Sequence, residues 1–154
     1  MKKVTMLTAA LVVAVPAAVV AQNWNLPATY GEITLNSGFL PDPYVVQVDA
    51  GGNVIASGIG GSCTGWIAQA PDFQLTYTAG SFPLIIRTRS ASDTTLAVHA
   101  ADGRWYCDDD SGGDLNAQFL LRRPPSGVYD IWVGSFNREI VPAELVITEL
   151  ENRK

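Results

Sequence analysis

The sequence predicts an all-β fold: an antiparallel, jelly-roll-like β-sandwich of about eight to ten strands, closed by one disulfide. Three observations predict it. Short stretches of alternating apolar and polar residues, rich in Val, Ile, Leu, Thr and aromatics, recur between clusters of Gly, Pro, Asn and Asp. No stretch keeps a helical period over three turns. The chain carries two cysteines, Cys63 and Cys107, behind a leader of the export type.

The leader comes first. Lys2 and Lys3 precede an apolar run over residues 6–20 that ends in Val19, Val20 and Ala21, small residues suited to a signal peptidase. The run contains Pro16 and is shorter than the roughly 20 apolar residues of a spanning helix. Residues 1–21 are therefore read as a signal peptide and residues 22–154 as a single domain, with no membrane span once the signal is removed. Losing Lys2 and Lys3 takes the formal charge from -5 to -7, and the remaining cations are scattered. Nucleic acid and anionic membranes are excluded as partners on that ground. The domain is long enough to bury a core of its own.

Strands are predicted at 31–35, 44–49, 53–57, 73–78, 84–88, 94–100, 104–107, 118–121, 127–133 and 143–149. Turn residues separate them at 50–53, 79–81 and 124–127, and Asp102-Gly103 marks a hairpin. Alternation puts Tyr44, Val46 and Val48 on one face, with Phe73, Leu75 and Tyr77, Leu96 and Val98, Tyr129, Ile131 and Val133, and Leu145 and Ile147. Those residues should form the core between two sheets. Gln47, Asp49, Thr95, His99 and Asp130 fall on the opposite faces, and the same count places Trp132 on the less buried side, over a sheet edge or loop. Residues 58–65 are glycine-rich and read as a loop restrained by Cys63.

The compartment argues that Cys63 and Cys107 are paired, since exported proteins fold under oxidising conditions. Two cysteines outside a C-x-x-C spacing and a lone histidine do not make a structural zinc site.

The densest chemistry lies in Trp105-Tyr106-Cys107-Asp108-Asp109-Asp110-Ser111-Gly112-Gly113-Asp114. Carboxylates this close repel unless water or a cation separates them, and carboxylate oxygens on an irregular loop are ligands for calcium. Asp108, Asp109, Asp110 and Asp114, completed by Asp93, are the candidate calcium set. The spacing is not that of an EF-hand, and an aspartate-rich turn solvated by water is the competing reading. Trp66, Trp105, Tyr106 and Trp132 are candidate contacts to a sugar or a protein, against a packing role over the sheets or the disulfide.

The chemistry of hydrolysis is poorly supplied. His99 is the single imidazole, it sits within a strand pattern, and no serine occupies a Gly-x-Ser-x-Gly elbow. Asp49, Asp93 and Asp130 provide carboxylates for glycoside hydrolysis, but the sequence sets no separation between them.

A further series of residues carries a family resemblance. Asp93-Thr94-Thr95-Leu96, Asp102-Gly103, Asp108-Asp109-Asp110, Pro125-Ser126-Gly127-Val128-Tyr129, Ile131-Trp132-Val133-Gly134 and Leu145-Val146-Ile147 follow one another in an order and spacing similar to the bacterial pre-peptidase C-terminal domain. The resemblance covers about residues 80–149, and residues 23–79 read as extra strands completing the same sandwich. It implies an accessory sandwich of exported enzymes, calcium in some members, and no proteolysis. The sequence reading is thus a free-standing, non-catalytic accessory or binding protein, periplasmic or secreted, with calcium as its possible cofactor. An exported protein or a polysaccharide would be its partner. Its alternatives are a carbohydrate- or protein-binding module working through exposed aromatics, and a hydrolase.

Overall fold

The computed structural model describes residues 21–60 and 62–151. The predicted signal peptide lies, but for Ala21, outside the described residues.

Among the described residues, eleven strands form two packed sheets. The smaller sheet has the order β2 (Tyr44–Ala50), β11 (Val141–Thr148), β6 (Leu84–Arg89), β9 (Gln118–Leu121), antiparallel throughout. The larger is organised around β10 (Gly127–Ser135). One edge of β10 pairs with β5 (Phe73–Thr78) and, at Ser135, with β4 (Trp66–Ile67), which is joined to β3 (Val54–Ile55). Its other edge pairs with β7 (Thr94–His99), followed by β8 (Trp105–Asp108). Strand β1 (Glu32–Asn36) closes the β5 edge and runs parallel to it, so the expected all-antiparallel pairing has one exception.

The core between the sheets is the predicted one. Val48, Phe73, Leu75, Tyr77, Leu96, Val98, Tyr129, Ile131, Val133, Leu145 and Ile147 are buried together. Strands half buried in this way alternate inward apolar and outward polar residues, and their faces can be read from that period.

Trp132 departs from expectation: it is fully buried. It lies on the outer face of β10, under a second apolar cluster made with Val54, Ala56, Cys63, Ile67 and Ala97. The segment between β3 and β5 crosses over that face and is pinned there by the Cys63–Cys107 disulfide, which spans 44 positions. β10 is thus covered on both sides, and alternation carries no information on which side is wet. Residues 53–57 depart in a smaller way, as the two-residue β3 followed by a 3-10 turn over Ala56–Gly58. β4 lacks a predicted counterpart because two residues show no period.

Candidate functional site

The acidic loop leaves β8 at Asp108. The Asp108 carboxylate accepts hydrogen bonds from the Ser111 amide at 2.9 Å, the Ser111 hydroxyl at 2.5 Å and the Gln118 amide at 2.8 Å. Both oxygens therefore hold the loop to its own ends. Asp109 accepts from the Thr64 hydroxyl at 3.4 Å. Asp110 and Asp114 line an open polar cavity of about 530 Å3 with Gly112, Gly113, Gln118 and Glu151. Asp114 and Leu115 take left-handed φ values of 53° and 60°, and their turn is fastened by Asn116, whose amide group donates to the carbonyls of Asp114 and Ser90. Asp93 lies near this loop; burial, then the charges of Asp110 and Asp109, hold its carboxyl above the usual carboxylate range.

These residues do not fit the expected calcium site. Among the described residues no three His, Cys, Asp or Glu side chains come together as a metal-binding group. Asp108, the first aspartate of the acidic loop, accepts three hydrogen bonds from the loop's own donors. Calcium needs six to eight converging oxygens.

Of the four candidate aromatics, Trp105 and Trp132 pack on each other, whereas Tyr106 faces the other side of the sheet. Tyr106 turns to the core face, packs on Phe119 at 4.6 Å between centroids, and donates its hydroxyl to Asp102 at 2.7 Å. Trp132 is enclosed. Trp66 is capped by the Arg138 guanidinium, 4.6 Å from its ring centroid. Trp105 lies over Trp132 on one side, at 5.1 Å, and beside His99, also at 5.1 Å. Trp24, in the segment before β1, stacks on His99 at 4.7 Å. His99 in turn faces Asp130 across the β7–β10 ladder, 3.6 Å from Nδ1 to the carboxylate. The imidazole is thus held among indole rings and a carboxylate on the outer sheet face.

A different feature presents bare apolar surface. At the end of the sandwich where β1 turns into β2, three chain segments bring Leu40, Phe82 and Leu150 to one cleft of about 220 Å3, floored by Phe39 and flanked by Asp42 and Glu149. Leu40 is 90% exposed, Phe82 51% and Leu150 60%. The polar residues beneath fix the Leu40 and Leu150 segments to one another. Glu149 accepts the buried Tyr77 hydroxyl proton and the Gly38 amide at 2.7 Å. Asp42 accepts from the Thr148 hydroxyl at 2.5 Å and the Glu149 amide at 3.1 Å. Burial and the Glu149 bond push the Tyr77 phenol up to about 12, so it stays a donor at any physiological pH. Sequence reasoning missed this cleft, because Leu40, Phe82 and Leu150 are isolated apolar residues in loops with no period to mark them.

No family model matches the chain, and no curated protein matches it. The resemblance to the pre-peptidase C-terminal domain therefore rests on the quoted motifs alone. Among solved structures the chain is similar to the Aeromonas hydrophila PliG, a periplasmic inhibitor of g-type lysozyme, at 22% identity and a TM-score of 0.37. The match covers 76% of this chain and 96% of that one.

Proposed function

We propose that this chain is an exported, non-catalytic binding protein that docks a partner polypeptide at the Leu40–Phe82–Leu150 cleft. The observation that carries the reading is the convergence of three exposed apolar side chains from three separate segments on one cleft. Single exposed apolar residues are ordinary on a protein surface; several gathered on a rigid frame mark an interaction site. The frame is held because Glu149 and Asp42 tie the Leu40 and Leu150 segments to each other and to Tyr77 of β5 through four hydrogen bonds. Little ordering cost then opposes binding. Burying each of these side chains in an interface contributes about 1.5–3 kcal/mol. The occupant is read as polypeptide rather than polysaccharide, since the exposed lining is largely aliphatic and supplies few flat rings for a sugar to stack on. The formal charge of -7 left once Lys2 and Lys3 are removed favours a basic partner surface around the contact.

The test places a photo-crosslinking phenylalanine analogue at position 82 of the exported protein, with a control at position 140. Ile140 is also exposed but lies just before the opposite end of β11. A discrete adduct at 82, absent at 140 and lost when Leu40→Asp is added, is the expected result. No adduct at 82, or one that Leu40→Asp leaves intact, sinks the reading.

A further inference from the structure

The outer face of the larger sheet carries a polar row that crosses three strands: Gln74 next to β10's Asp130, then His99 on β7, with Trp105 of β8 beside it. Gln74 donates to one Asp130 oxygen at 2.7 Å, and His99 Nδ1 stands 3.6 Å from the other. Over the imidazole lies Trp24, its ring centroid 4.7 Å away and tilted by 21°. Trp24 belongs to a segment, residues 23–30, that is bound along the chain preceding β5 and, at its far end, to β2, where the Tyr30 hydroxyl accepts the Asp49 amide at 2.9 Å. The Asn23 amide donates to Gln69, that of Thr29 to Pro71 and that of Tyr30 to Asp72. Between Asn23 and Thr29 the segment meets the sheet face through Trp24, which packs on His99 and Trp105.

We propose that the segment over residues 23–30 is a pH-sensitive strap, held closed by the Trp24 stack on a protonated His99 and loosened when the imidazole loses its proton. Imidazole is the side chain whose charge changes between about pH 5 and 8. Protonated, His99 faces a carboxylate on one side and indole rings on the others, and each attracts a cation. Neutral, it keeps the ring contact and loses both charge terms. The groups around it were matched to that sign. β10 contributes the Asp130 carboxylate; β5 contributes neutral Gln74; β8 and the strap contribute indoles. Asp49 of β2 is one acid beside the strap, its amide donating to the Tyr30 hydroxyl at 2.9 Å; Asp72, just before β5, is another, and the Tyr30 amide donates to its backbone carbonyl at 2.8 Å. Its own titration must be separated from that of His99.

Hydrogen exchange of the disulfide-bonded protein, corrected for the intrinsic pH dependence of exchange, makes that separation. Protection of residues 23–30 should be about fivefold greater near pH 5.5 than near pH 8, while the β11 amides serve as the reference for global opening. His99→Gln should flatten the difference, and so should Trp24→Leu, which leaves the imidazole in place should the first variant fold poorly. Asp72→Asn should preserve it. Equal protection of the parent at both pH values overturns the strap. A difference that survives His99→Gln, or one that Asp72→Asn removes, overturns it as well.

Discussion

The Asp72 carboxylate accepts the Val133 amide at 2.7 Å, in the interval where one edge of β10 passes from β5 to β4. The Val133 carbonyl in the same interval accepts the Gly51 amide at 2.9 Å. A break in the ladder would otherwise strand two buried backbone groups, and these two contacts complete it.

That carboxyl gives the fold a pH dependence. Burial raises Asp72 to about 7, against the opposing pull of the Val133 amide. The unfolded chain ionises near 3.8, so between that pH and about 7 the folded state binds the extra proton. The Asp72 contribution to stability is greatest below the unfolded value and falls as pH rises toward 7, by at most about 4 kcal/mol in total. Urea unfolding at several pH values should show this fall in the parent, and Asp72→Asn should largely remove it. A parent curve flat over this range contradicts the assignment.

Asp108→Ala should cost about 1–3 kcal/mol, since it strips acceptors from the Ser111 and Gln118 amides. The loss should be the same with calcium or with a chelator present. A deficit that calcium enlarges would return the acidic loop to the role of an ion site.

Removing the disulfide as a Cys63→Ser, Cys107→Ser pair frees a loop of 44 positions. The chain-entropy model puts the cost at about 4 kcal/mol. Trp132 lies in the cluster that the bridge pins, so its fluorescence should shift to the red in the variant as water gains access. Unchanged emission alongside the stability loss would show that the cluster holds without the bridge.

Gly134 leaves no room for a side chain. A Cβ there would stand 2.2 Å from the Thr95 hydroxyl and 2.8 Å from the Trp66 carbonyl. Gly134→Ala should destabilise by about 1–3 kcal/mol in denaturant unfolding, as overpacking does in a close-packed interior. A neutral result would mean that β4 moves aside at little cost.

What the sequence made legible follows from how each residue is covered. β5 and β9 match their predicted spans to the residue, because alternation and flanking turn residues delimit both. Trp132 was assigned to the wetter side because a period of two reports one covered face, whereas β10 has a sheet on one side and the disulfide-pinned segment on the other. The Cys63–Cys107 pairing was readable from the compartment and the even count. Convergence was not readable. Nothing in the spelling of the acidic loop says that Asp108 turns inward to bind Ser111 and Gln118. Nor does spelling reveal that Leu40, Phe82 and Leu150, separated widely along the chain, meet at one cleft.

The bond from Glu149 to Tyr77 fixes the direction in which the chain departs from the sandwich. Leu150, the next residue, already forms the rim of the cleft. Any tag or fused domain joined at the carboxyl end is therefore tethered close to the proposed docking surface and would crowd a partner there. Handles for immobilisation or pull-down belong at the amino end of the domain, where Asn23 is bonded to Gln69 beside the larger sheet. The same protein would be scored as a binder or as inert according to which end was held.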